Sequence, residues 1–159
     1  MEDALTTRCE MVKWEFSGAE VGDLFLKVKA DSQDLILKCF ISGDTLYDLA
    51  INHLYKAGDF LYVRFNISNY YKLPTRSNNT KSVVLDPDGK EGSNRYIIQG
   101  QVIKVYPDES SFTLQDHQRL IIDCGIAIYT RVPISYPVKV GDYLRMSDRL
   151  DAHIVGKAE

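Results

Sequence analysis

Most landmarks between Leu35 and Asp59 return about 85 residues later, and this repeat constrains the fold more than any other feature. Leu35-Ile36-Leu37-Lys38-Cys39 is echoed by Leu120-Ile121-Ile122-Asp123-Cys124, and Lys56-Ala57-Gly58-Asp59 by Lys139-Val140-Gly141-Asp142. The offset is 120 − 35 = 85 at the first landmark and 141 − 58 = 83 at the second, a two-residue deletion between the copies. The pattern reads as one small β-domain present twice, over 1–72 and 95–159, with 73–94 as a linker or long hairpin loop rich in turn-formers. Each copy holds about 65 to 70 residues, near the lower limit for independent folding, so packing against its twin would help.

Within the first copy, Glu10 to Phe16 alternates and predicts a strand with Val12, Trp14 and Phe16 inward. Leu24, Leu26 and Val28 then alternate with Phe25, Lys27 and Lys29, and Leu35, Leu37, Cys39 and Ile41 with Ile36, Lys38 and Phe40; these are two more strands joined by a polar turn. From Asp44 the period changes to 3.6, and Leu46, Leu49, Ala50, Leu54 and Ala57 mark one face of a helix that Gly58 ends. A fourth strand runs from Phe60 to Phe65, and Asn66 to Tyr71 extends it or begins a fifth. Val83-Val84-Leu85 is placed at the edge of this first unit.

The second copy opens with a long strand from Tyr96 to Tyr106, in which Gly100 predicts a bend or bulge. Ser110 to Asp116 and Arg119 to Ile128 repeat strands two and three. Pro133 and Pro137 stand where the helix lay and forbid a regular helix interior. Asp142 to Met146 and Leu150 to Val155 are strands four and five. Three strands, a helix and one or two further strands is the order of an OB fold, a small Greek-key barrel. Gly100-Gln101-Val102, Asp123-Cys124-Gly125 and Val140-Gly141-Asp142-Tyr143 resemble the pattern of OB domains of the replication-protein and single-strand-binding type. The resemblance implies a mainly β chain of two tandem OB-like five-stranded barrels, the first with a helix between strands 3 and 4, the second with a Pro-containing loop there.

Composition narrows the function classes. The net charge is −3 with 19 Lys and Arg against 22 Asp and Glu, and residues 1–72 carry 8 basic and 11 acidic side chains, so phosphate binding must come from a local face. Three cysteines without a C-x-x-C spacing read as buried free thiols, and no metal or cofactor site is expected. The start Met1-Glu2-Asp3-Ala4-Leu5-Thr6 lacks a basic and an apolar region, and no run approaches a membrane span, so the expected location is cytoplasmic. His53, His117 and His153 have no partner placed by spacing, and no catalytic residue is assigned.

OB domains commonly bind ligands across strands two and three. On that face the resemblance places Phe25, Lys27, Lys29, Ile36, Lys38 and Phe40, with Tyr62 and Arg64 alongside and Tyr70 and Tyr71 in the following loop. Aromatic rings stack on bases and lysines hold phosphates, which suits single-stranded nucleic acid. The alternative is a protein–protein or assembly module, with the same aromatics covered by the other barrel, a protein partner or a second subunit of a homo-oligomer. In the second copy the outward set is Thr113, Gln115, Ile121 and Asp123, a neutral to acidic face suited to a protein contact.

Overall fold

The computed structural model describes residues 5–30, 32–67, 72–87, 93–107 and 117–159. Apolar alternation builds the second and third strands as expected. In β2 (Val21–Ala30) Leu24, Leu26 and Val28 are buried while Lys27 and Lys29 are exposed; in β3 (Gln33–Ser42) Leu37, Cys39 and Ile41 are buried while Ile36 is exposed. β1 (Thr7–Phe16) departs from the expected phase. Cys9 and Met11 are buried, Trp14 packs against the core, and Val12 and Phe16 are exposed. A bulge explains it: Met11 pairs with Leu26 and Lys13 with Phe25, so Val12 is an extra residue and the inward phase shifts by one.

The helix is shorter than its periodicity suggests. α1 (Gly43–Ala50) buries Thr45, Leu46 and Leu49, then ends; His53 takes a positive φ of 50°, which an α-helix cannot continue through, and Leu54 is exposed. Gly58, with φ 93°, belongs instead to the next turn. There Asp59 N–H donates to the Lys56 carbonyl (3.0 Å) and the Asp59 carboxylate accepts from Lys56 N–H (3.1 Å). Lys139 to Asp142 repeats both bonds at 3.1 and 2.9 Å, with Gly141 at φ 101°. Each turn also grips a bulged strand. Met11 N–H donates to the Asp59 carbonyl and accepts at its own carbonyl from Gly58 N–H; Val102 does the same with Asp142 and Gly141, all at 2.8 Å. The repeated Gly-Asp is therefore a structural device, a positive-φ turn that only glycine enters without strain.

The remaining strands are β4 (Phe60–Ile67), β5 (Thr75–Arg76), β6 (Ser82–Leu85), β7 (Arg95–Pro107), β8 (His117–Asp123), β9 (Ala127–Pro133) and β10 (Tyr143–Lys157). Several expectations change here. Arg119 to Ile128 is a hairpin, not one strand: Gly125 (φ 97°) turns the chain, and its N–H donates to Asp123 Oδ1 (3.0 Å). Leu120 to Asp123 thus lies on the strand that follows β7, whereas Leu35 to Cys39 lies on the strand before the helix, so that echo does not mark equivalent strands. Ile121, expected outward, is fully buried. The two strands expected over Asp142–Met146 and Leu150–Val155 are one continuous β10, and Val83-Val84-Leu85 pairs with β7 rather than with the first copy. Gly100 is not the bulge, which falls between Val102 and Lys104; a Cβ at Gly100 would strike the Asp123 backbone and Cys124 Sγ, so its role is close approach. Ser110 to Asp116, with Thr113 and Gln115, lies outside the described residues.

All ten strands join one sheet in the order β5-β10-β3-β2-β1-β4-β9-β8-β7-β6, and a β10–β7 pairing closes eight of them into a ring. A further β10–β4 pairing crosses that ring. It divides the ring into two five-strand circuits, β1-β2-β3-β10-β4 and β7-β8-β9-β4-β10. In the first, the C-terminal part of β10 runs parallel to β3 (Asp151 beside Phe40); in the second, the end of β4 runs parallel to β9 (Phe65 beside Ile128). Buried side chains from both halves of the sequence form one cluster, from Leu24, Leu37 and Phe65 to Ile98, Leu120 and Leu150. The chain is mainly β with one short helix. Among the described residues no helix is long and apolar enough to cross a membrane.

Candidate functional site

Cross-strand register sets the outer face of β1, β2 and β3 in rows. Lys29 stands opposite Asp34; Glu10, Lys27 and Ile36 form the next row; Lys13, Phe25 and Lys38 the third; Glu15, Asp23 and Phe40 the fourth. Directly opposite residues of an antiparallel pair project to the same side, so each row is a contact set. The third row is the distinctive one. Half-buried Phe25 has the Lys13 ammonium 4.6 Å and the Lys38 ammonium 5.7 Å from its ring centroid.

Of the expected site residues, Phe25, Lys27, Lys29, Lys38 and Phe40 share this face. The pairing brings in two that the sequence did not announce. Lys13 arrives because the bulge at Val12 turns it toward Phe25. Arg149 arrives from β10, its guanidinium 3.7 Å from the Phe40 ring and fixed to the Asp151 carboxylate at 2.6 and 2.9 Å. No spacing in the sequence joins residue 149 to residue 40. Tyr62 and Arg64 lie on β4, the neighbour of β1: exposed Tyr62 stands opposite Arg8, as Phe60 does opposite Glu10, so Tyr62 extends the same side of the sheet, and the Arg64 guanidinium lies 5.1 Å from the Tyr129 ring. Tyr70 and Tyr71 lie outside the described residues.

Carboxylates accompany the cations throughout. Lys13 is 3.8 Å from Glu15, Lys27 4.0 Å from Asp34 and Lys38 3.9 Å from Asp23. With Lys29, Arg149 and the outward Arg8 of β1 the face holds six cations, and with Glu10 and Asp151 five carboxylates, so carboxylates nearly balance the cations. The pairs at Lys13 and Lys27 are solvent-exposed and weak, and a competing anion can replace the carboxylate in either. Asp23 is different: it is buried and also accepts from Asn94 Nδ2 (3.1 Å), while Lys38 N–H donates to Tyr96 Oη (2.8 Å), so this corner is tied to the start of β7 and the residue before it. Burial pushes the Tyr96 phenol above its ordinary range.

The class that fold and face define is a mainly β chain whose open sheet face carries aromatic rings between cations. Compared with known proteins, the sequence matches no family model and no curated protein.

Proposed function

We propose that this chain is a non-enzymatic cytoplasmic binding protein, built on two OB-like units, that takes single-stranded nucleic acid on the face of β1, β2 and β3. The observation that carries this reading is Phe25, a half-exposed ring between two ammonium groups on an otherwise regular sheet face. A base stacked on such a ring gains about 1–3 kcal/mol by the usual alanine measure, whatever its sequence. Because carboxylates nearly balance the cations there, binding at this face is stacking-led and contributes little salt dependence. Titration of a labelled oligothymidylate, followed by fluorescence anisotropy, tests this. Phe25→Ala is expected to weaken binding by about tenfold with an unchanged dependence on salt. Absence of binding by the intact chain at low salt sinks the proposal.

One observation favours a second reading, a protein-interaction module: the nearly neutral face also presents Ile36, 62% exposed, next to the Phe25 row. On that reading the chain ignores oligonucleotides, and Ile36→Glu abolishes a protein contact.

A further inference from the structure

The opposite arrangement of charge occurs on the second copy. Register places Lys104, Ile121 and Tyr129 in one row across β7, β8 and β9, and Tyr106, Arg119 and Arg131 in the next. Arg64 reaches the first row from β4, whose Asn66 pairs with Tyr129. Four cations thus share one face, and among the described residues no carboxylate lies within ion-pair distance of Arg64, Arg119 or Arg131. The nearest acid in register, Asp123, is held by Lys81 at 2.8 Å. Arg119 and Arg131 stand directly opposite each other across β8 and β9, where like charges destabilise a sheet. On the first face carboxylates nearly balance the cations; among the described residues none pairs with these three arginines. A local rule broken with no compensating carboxylate beside those arginines among the described residues marks a place where a ligand supplies the compensation.

The rings on this face hold the cations in place. Lys104 Nζ lies 4.7 Å and the Arg119 guanidinium 5.5 Å from the Tyr106 ring centroid, and Arg64 lies over Tyr129. A guanidinium kept on a ring is oriented before a ligand arrives, and its fork of donors matches phosphate oxygens. Sequence patterning hid the site, because a single strand over Arg119–Ile128 left Tyr129 and Arg131 in a loop.

We infer that the face formed by Lys104, Arg119, Arg131 and Arg64 is a second site, one that grips the phosphates of single-stranded nucleic acid. The inference rests on the proposed ligand class and divides the work: bases stack at Phe25, and backbone charge is neutralised here. Arg119→Gln/Arg131→Gln removes two phosphate contacts. The slope of log affinity against log salt is expected to fall by about 1.4, that is, about sevenfold less loss of affinity between about 50 and about 200 mM salt. Arg119→Gln alone, at an exposed position, is expected to give half that change in slope and guards against misfolding of the double variant. Lys56→Gln, at an exposed position in the turn before β4, should leave the slope unchanged. If the intact chain binds the oligonucleotide and the arginine variants keep its full slope, the second site is refuted while the Phe25 site stands. If polyglutamate displaces the oligonucleotide from the intact chain and loses that ability in the arginine variants, the occupant is an acidic protein and the inference is overturned. If the intact chain does not bind, both readings fall.

Discussion

Ile67 and Leu150 face each other across β4 and β10, and each stands nine residues beyond the glycine of its own Lys-x-Gly-Asp turn (67 − 58 = 9 and 150 − 141 = 9). At this end of the β4–β10 ladder, each of these two residues faces the one that stands at the same distance from the other turn's glycine. Each turn is followed by a strand that takes part in both circuits. β10 completes the first circuit beside β3, and β4 completes the second beside β9.

Because both side chains are buried at this crossing, truncation should unfold the two circuits together. Ile67→Ala and Leu150→Ala are each expected to cost about 2–5 kcal/mol, read from chemical denaturation. The double variant should lose clearly less than the sum, since the two share one cavity. Strict additivity would show that the crossing does not couple the halves.

Thr45 fixes the helix to the far end of β10. Its hydroxyl accepts from the buried Ile154 N–H (3.1 Å) and lies 3.1 Å from His153 Nδ1. Thr45→Val keeps the shape and removes the hydroxyl, leaving a buried donor unpaired, at an expected cost of about 1–3 kcal/mol. Thr45→Ser should recover most of it, and equal losses in both variants would mean that the methyl group, not the hydroxyl, matters.

The three thiols are buried and free. Burial pushes Cys9 up to about 12 and holds Cys39 and Cys124 well above their ordinary value near 9. Below pH 9 both folded and unfolded thiols keep their protons, so stability is unaffected there. Between about pH 9 and about pH 12 the unfolded chain releases protons that the folded chain retains, and folding should weaken by up to ~1.4 kcal/mol per pH unit per thiol. Tyr96, also raised by burial, acts in the same direction from pH 10. Denaturation midpoints measured from pH 8 to pH 11 check this, and Cys39→Ala should flatten the decline. In the folded protein the thiols should resist alkylation at pH 8.

Local pattern carried much of the fold. The alternation of Leu24, Leu26 and Val28 with Phe25, Lys27 and Lys29 fixed which side of β2 is buried, because the two-residue period follows from the backbone alone. The Gly58-Asp59 and Gly141-Asp142 repeat likewise marked equivalent turns, since a positive φ selects glycine wherever it occurs. Where a short-range rule was interrupted, the reading slipped by one element. The bulge at Val12 reversed the phase of β1, and the turn at Gly125 converted an expected strand into the β8–β9 hairpin that carries Tyr129 and Arg131.

By itself the sequence determined a mainly β chain, the burial of β2 and β3, the two Gly-Asp turns, and the place of Phe25 and its neighbouring lysines on an outward face. Tertiary structure alone decided that β4 and β10 each serve both circuits, that Arg149 covers Phe40, and that Arg64, Arg119 and Arg131 gather on one face with no paired carboxylate among the described residues. The physical reason is range. Side-chain alternation and turn chemistry act over a few residues, whereas pairings such as Phe40 with Asp151 or Phe65 with Ile128 join segments many tens of residues apart, and burial of the whole core selects them.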